Sequence, residues 1–119
     1  MNSKALYEKV MKIDPKVRFA TVSTMNGKII YTGHRKGVKN LLTPKESRTS
    51  LRQAVTIWRM RNKLASKIGR GKYVLAEYGR IKRITVPIGK KYLLYVTTGP
   101  TANHAKIIGR IRKLTANIR

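Results

Sequence analysis

The stretch TPKESRTSLRQAVTIWRMRNKLASKIG, Thr43 to Gly69, reads as one long helix whose start, body and end are all legible. Thr43 is a good N-cap and Pro44 fits the first helical position, where no N–H is needed. Glu46, three residues after the cap, completes a capping box. Gly69 offers a left-handed stop. At ~100° per residue, Leu51, Ala54, Ile57, Trp58, Leu64, Ala65 and Ile68 fall on one broad arc, which predicts a helix laid on a core. The opposite arc carries Lys45, Arg48, Arg52, Arg59, Lys63, Lys67 and Arg70, with only Thr56 and Ser66 between them and no acid. Solvated helix faces usually mix Glu with Lys, because like charges at i,i+4 repel. A face that repels itself predicts an anionic partner. Arg61 falls inside the apolar arc and is expected to reach out to water or to pair with Glu77.

Upstream, residues 3 to 13 predict a short amphipathic helix capped by Ser3, with Leu6, Val10 and Ile13 on one stripe and Tyr7 alongside. Asp14-Pro15 ends it, because the residue before proline is pushed out of the helical region. Val17 to Met25, Asn26-Gly27 and Lys28 to Gly33 then predict a hairpin of readable register. His34 to Asn40 forms a glycine-containing basic loop whose main-chain N–H groups suit a phosphate. It lacks the Gly-Lys-Ser/Thr ending of a P-loop, so nucleotide hydrolysis is not expected.

Downstream, three strands are expected at Lys72 to Tyr78, Ile81 to Ile88 and Lys91 to Thr98, separated by Gly79-Arg80 and Gly89-Lys90. Pro87 calls for an edge or strand-terminal position. Tyr92 to Val96 is the longest apolar run, as expected of a central strand covered on both faces. After Gly99-Pro100, Thr101 is placed to cap a last helix with Ile107, Ile108, Ile111 and Leu114 on one face. Lys106, Arg110 and Lys113 form a second basic stripe without acids. An Ile-Gly-basic triplet recurs at Ile68, Ile88 and Ile108, but no supersecondary unit repeats with that spacing. A five-stranded antiparallel sheet between the long helix and the two shorter ones buries every apolar stripe, which makes the chain an α+β protein of one domain, residues 1 to 119.

The whole chain of 119 residues holds 28 Lys and Arg against 4 acids, a formal charge of +24, with 41% apolar residues. The apolar share supports a real core, and the charge predicts a working state with a polyanion, because the free chain repels itself. With no cysteine there is neither a disulfide framework nor a thiolate metal site, in keeping with a reducing cytosol. No secretory h-region and no run of ~18 apolar residues is present, so a cytoplasmic protein without a membrane span is expected.

Catalysis needs groups that titrate or attack, and only His34, His104, Glu8, Asp14, Glu46 and Glu77 are on offer. Glu46 is used as a cap, Asp14 in the helix-ending Asp-Pro, and Glu8 among Lys4, Lys9 and Lys12. Glu77 has no second carboxylate beside it, and the two histidines are 70 positions apart, which gives no metal-ligand pattern. Neither an enzyme, a cofactor nor a metal is expected. Binding is better supplied: Arg35, Lys36 and Lys39; Arg48, Arg52, Arg59, Lys63 and Lys67; Arg70 and Lys72; Arg80, Lys82 and Arg83; Lys90 and Lys91; and Lys106, Arg110 and Lys113 suit phosphates, which give affinity and position more than sequence choice. Trp58 lies on the apolar arc and is expected in the core. Tyr31, Tyr73, Tyr78, Tyr92 and Tyr95 lie in expected strands, where packing is the default over base stacking. No RNP motif, helix-turn-helix or zinc finger is present.

The element order, the Asn-Gly hairpin of Val17 to Gly33, the long central helix and the β-meander before a last helix resemble the roadblock/longin (profilin-like) architecture. The run Ile13-Asp14-Pro15-Lys16-Val17-Arg18-Phe19-Ala20, with Gly37-Val38-Lys39, Arg59-Met60-Arg61 and Lys72-Tyr73, is more specifically similar to small roadblock-like proteins of archaea, here in an unusually basic form. The resemblance implies a small adaptor that often dimerises through a sheet edge and a helix, sometimes near small GTPases. The charge instead leads to a non-enzymatic, architectural nucleic-acid-binding protein, docked on structured RNA in a ribosomal or other ribonucleoprotein setting beside its other proteins. A chromatin-like DNA-binding protein is the alternative. A roadblock-type dimeric interaction scaffold, a homodimer whose basic surface meets an acidic protein or membrane, is the third reading.

Overall fold

The computed structural model describes residues 1–118. Helix α1 (Ser3–Met11) is followed by β1 (Val17–Thr24) and β2 (Ile29–His34), then α2 (Pro44–Asn62) and the single turn α3 (Ala65–Ile68). Strands β3 (Val74–Glu77), β4 (Lys82–Ile88) and β5 (Tyr92–Thr98) and helix α4 (His104–Thr115) complete the chain. The five strands form one antiparallel sheet in the order β2-β1-β5-β4-β3. The apolar run Tyr92 to Val96 thus becomes the central strand. Its alternate residues serve two cores: Leu94 and Val96 face α1 and α4, while Leu93 and Tyr95 face α2.

The larger core joins Leu6 and Val10 of α1 and Ile107, Ile108 and Ile111 of α4 to Val22, Ile84 and Val86 of the sheet. The smaller holds Leu51, Val55, Trp58 and Leu93. The capping box forms as its sequence requires: Glu46 N–H donates to Thr43 Oγ1 at 3.1 Å, and Thr43 N–H donates to Glu46 Oε1 at 2.9 Å. At two other helices the cap lies elsewhere. Asn2, not Ser3, accepts from Ala5 N–H, and Asn103, not Thr101, accepts from Lys106 N–H.

The expected single helix from Thr43 to Gly69 is broken. It stops at Asn62, and Lys63 N–H and Leu64 N–H turn to the i−3 carbonyls of Met60 and Arg61 before α3 begins. The break loses the helical phase, and the buried face centres on Leu51, Val55 and Trp58. Ile57, Leu64 and Ile68, expected in the core, are 44%, 54% and 79% exposed. Gly69 does end α3 with φ +89°. Arg61 lies over the Trp58 ring at 5.8 Å, while Glu77 meets His104 instead.

The hairpin register also differs from a regular two-residue turn. Val22 pairs with Tyr31 but Ser23 pairs with Ile29, so Ile30 is an extra residue, and Gly27 takes φ +85° in a longer turn. Strand β3 is shorter than expected and leaves the half-exposed Tyr73 and Tyr78 outside it. Its pairing with β4 ends at Thr85, so Pro87 is paired on one side only, as proline requires.

Gly33 lies under Tyr7, whose ring also packs on Tyr31 at 5.0 Å. A Cβ at Gly33 would stand 2.6 Å from Tyr7 Cζ. Gly33→Ala should therefore cost about 1–3 kcal/mol of stability, measured by chemical denaturation. Tyr7→Leu in the same chain should recover part of that loss, because the two sites touch.

Candidate functional site

Helix α2 presents two unlike surfaces to solvent. Its basic arc carries Lys45, Arg48, Arg52, Arg59 and the capping Lys63, all exposed. This arc leans toward the β1–β2 turn, where the Arg52 side chain lies beside Gly27. The second surface was not apparent from the sequence. At ~100° per residue, Thr49, Gln53, Thr56, Ile57 and Met60 form one outward strip that carries no charge between Glu46 and the helix end, and Leu64 is exposed just beyond that end. Met60 is 61% exposed, and Ile57 and Leu64 are about half so. Thr49, Gln53, Thr56 and Ile57, with Arg52, line a shallow depression there. Ile57 and Met60 on this strip and Leu64 beside it are large exposed apolar side chains, which stand out in a chain with a formal charge of +24. Beyond the helix, the outer side of β3 is a sheet edge.

Of the basic residues singled out in the sequence, Lys36, Lys39, Lys45, Arg48, Arg52, Arg59, Lys63, Lys67, Arg70, Lys72, Arg80, Lys90, Lys91, Lys106, Arg110 and Lys113 are exposed. They do not form one patch. Arg48 to Lys63 lie on the α2 side of the sheet, while Lys106, Arg110 and Lys113 belong to α4 on the opposite side.

The remaining three have work inside the fold. Arg35 reaches back to the end of α1, donating from Nε to Val17 O at 2.9 Å and from Nη2 to Met11 O at 2.6 Å and Asp14 O at 3.1 Å. Lys82 is buried, and its Nζ donates to Ala102 O and to His104 Nδ1, each at 2.8 Å. Arg83 lies between Tyr78 and Tyr95, with Cζ 5.2 Å from each ring centroid. Arg70, although exposed, donates to Gly89 O at 2.6 Å.

Glu77, His104 and Lys82 come together, with Glu77 Oε1 3.6 Å and Lys82 Nζ 2.8 Å from His104 Nδ1. This group ties β3 and β4 to the start of α4. Among the described residues no three His, Cys, Asp or Glu side chains gather where they could hold a metal ion. No helix among them is long and apolar enough to cross a membrane.

No family model and no curated protein matches the sequence. Solved structures match its shape. The gliding protein MglB of Thermus thermophilus superposes with a TM-score of 0.74 at 14% identity, over 96% of this chain and 88% of that one. A roadblock/LC7 domain from Streptomyces avermitilis gives 0.73 at 15% identity, over 94% and 90%. MglB in a tetrameric arrangement gives 0.72 at 14% identity, over 96% and 88%. The chain therefore has the roadblock/longin-like fold, with a five-stranded antiparallel sheet between α2 and the pair α1 and α4.

Proposed function

We propose that this chain is a non-catalytic interaction scaffold that pairs with a second copy of itself through α2 and the β3 edge. Its basic surface is then left for an acidic protein in the cytoplasm. The observation that carries the reading is the uncharged strip of Thr49, Gln53, Thr56, Ile57 and Met60 on α2, with Leu64 exposed just beyond the helix end. Two chains of this charge repel at most approaches, and an arc free of charge with apolar knobs lets them meet with the least opposing field. A two-fold pair brings the same residues together from both sides. The tetrameric arrangement of a structure with this fold lends the reading support by analogy. The fold and the basic composition together suit a basic member of the small archaeal roadblock-like proteins, with residues 1 to 119 as one domain.

Met60→Lys tests it. Met60 is exposed, so the fold should tolerate the change, yet in a symmetric pair it brings two new charges to the seam. Sedimentation of nuclease-treated protein should show a dimer for the parent chain. For the variant the dissociation constant should rise at least about ten-fold. A parent that stays monomeric at every concentration overturns the proposal.

A second reading, docking on structured RNA beside ribonucleoprotein partners, is favoured by one fact: the Arg48, Arg52, Arg59 and Lys63 arc bears no acid and stays exposed. Four like charges along one helix face suit a phosphate backbone. Duplex DNA, compacted through its backbone alone, is the corresponding alternative, and competition between the two polymers at ~0.15 M salt separates them.

A further inference from the structure

Between the sheet and the first turns of α2 lies a cleft of about 470 Å³, within the ~300–1,000 Å³ usual for small-molecule sites. Its walls are largely apolar, from Phe19, Ile29, Leu41, Leu42, Leu51 and Ile81. It crosses four strands, from Thr32 of β2 to Arg83 of β4, a width of about 14 Å at the usual strand spacing.

Three arginines also line it: Arg18, Arg48 and Arg83. A local irregularity brings in the first. Val17 pairs with Thr98 but Phe19 pairs with Thr97, so Arg18 is the extra residue of a bulge. Arg18 and Phe19 are neighbours in sequence, yet both line the cleft, which strict alternation along a strand forbids. Arg18 Nη2 donates to Lys39 O at 2.8 Å and is held in place by it.

Arg83 is fixed more firmly. Its guanidinium stands between the rings of Tyr78 and Tyr95, and its Nη1 donates to Tyr78 OH at 3.2 Å. Its Nε is buried with no hydrogen-bond acceptor among the described residues. Arg48 stands exposed at the rim on α2.

Among the described residues no carboxylate answers these charges, because none of the four Asp and Glu side chains lines the cleft. Glu46 is engaged with Thr43 N–H at the cap, and Glu77 faces His104. Glu8 lies on α1, on the other side of the sheet, and Asp14 Oδ1 accepts from Lys16 N–H. A half-buried guanidinium with an unpaired N–H, in an apolar cleft that two further arginines also line, is costly without an anion. A bare inorganic anion would leave the apolar walls wet, and a neutral hydrocarbon would leave the arginines unpaired.

We infer that the cleft binds an amphiphilic anion, an apolar chain ended by one carboxylate or phosphate, with Arg83, Arg18 and Arg48 at its head and Phe19, Leu42 and Leu51 along its body. The head would accept from the free terminal N–H groups of the guanidinium ends, and the chain would run across the sheet beneath α2. The site does not depend on the self-pairing surface, which lies on the outward side of the helix.

The test is calorimetric titration of the full chain, below the micelle range, with dodecanoate, monododecyl phosphate, dodecanol and inorganic phosphate. Salt of ~0.3 M suppresses loose attraction to the basic surface. One of the two amphiphilic anions should bind at one molecule per chain, and the tighter of them identifies the head. Dodecanol and inorganic phosphate should each bind at least about ten-fold more weakly. Arg48→Ser, at the exposed rim, should weaken the anion several-fold. Arg83→Met should weaken it about ten-fold or more, its fold being checked by circular dichroism. Arg110→Ser on α4 removes the same charge on the far side of the sheet and should change nothing. Equal loss in Arg110→Ser and Arg48→Ser, uptake of many anions per chain, dodecanol binding as well as the anions, or no binding at all would overturn the inference.

Discussion

Trp58→Ala is expected to lower the unfolding free energy by about 3–5 kcal/mol, a large fraction of the ~5–15 kcal/mol that holds a domain of ordinary stability together. The reason lies in how little attaches α2 to the sheet. The smaller core has four buried residues, Leu51, Val55, Trp58 and Leu93, and Trp58 is the largest of them at 1% exposure. Its Nε1 donates to Thr85 Oγ1 at 2.8 Å in the interior. Gly71 packs so closely on the ring that a Cβ there would stand 2.5 Å from Trp58 Cζ3. Trp58→Phe keeps an aromatic body and gives up the hydrogen bond, so it should cost less than alanine. Thr85→Val leaves the indole N–H buried and unpaired and should cost about 1–3 kcal/mol. Guanidinium unfolding followed by far-ultraviolet circular dichroism measures all three. An alanine variant that lost less than about 1 kcal/mol would mean that contacts other than Trp58 hold the helix on the sheet.

The elements that declared themselves in the sequence did so through local chemistry. Thr43, Pro44 and Glu46 define a helix start by their own hydrogen bonds, whatever lies around them. The run Tyr92 to Val96 is apolar on both faces because the central strand meets a helix layer on each side. Element order and sheet composition followed from such signals, and the roadblock/longin-like fold with them. What was not legible depends on phase and on long-range pairing. Leu64 and Ile68 share a period with the buried residues only while the helix runs unbroken, and the turn at Lys63 and Leu64 ends that, while Ile57 lies at the margin of an apolar arc drawn too wide, roughly 100° or more round the helix from Leu51, Val55 and Trp58. The sequence pattern therefore counted as core three residues that face solvent, and passed over Val55, which is buried.

The surfaces were still harder to read, because a side chain's partners lie far along the chain. Arg35, Lys82 and Arg83 look like any other basic residues in the sequence, yet each is aimed inward by contacts 20 or so positions away or by flanking rings. The bulge at Arg18 has no sequence mark such as glycine, and it becomes visible only in the pairing of β1 with β5. The uncharged arc of α2 was present in the spacing of Thr49, Gln53, Thr56, Ile57 and Met60. Sequence periodicity assigned Ile57 to the core and gave Met60 no place, since a helix with two separate apolar faces is rarer than one with a single face.

Replacing Arg48, Arg52, Arg59 and Lys63 together by Ser separates the two functional readings, because they predict opposite signs. If the arc contacts phosphates, each lost contact removes roughly 0.7–0.9 from the slope of log affinity against log salt, so the slope falls by about 3 to 4. At ~0.15 M salt the same counterion term amounts to a loss of some hundred- to thousand-fold in affinity for structured RNA, whatever its sequence. If the arc only flanks the seam of a self-paired scaffold, removing four like charges per chain relieves repulsion. The dimer then tightens while the salt slope for RNA stays where it was. All four side chains are exposed and none makes a hydrogen bond within the described fold, so the fold should survive. The matched control, Lys36, Lys106, Arg110 and Lys113 to Ser, removes equal charge elsewhere. Slope loss confined to the α2 variant places phosphate on that helix. Equal loss in both means that total charge governs the attraction. A tighter dimer with an unchanged slope leaves α2 as the surface where two copies meet.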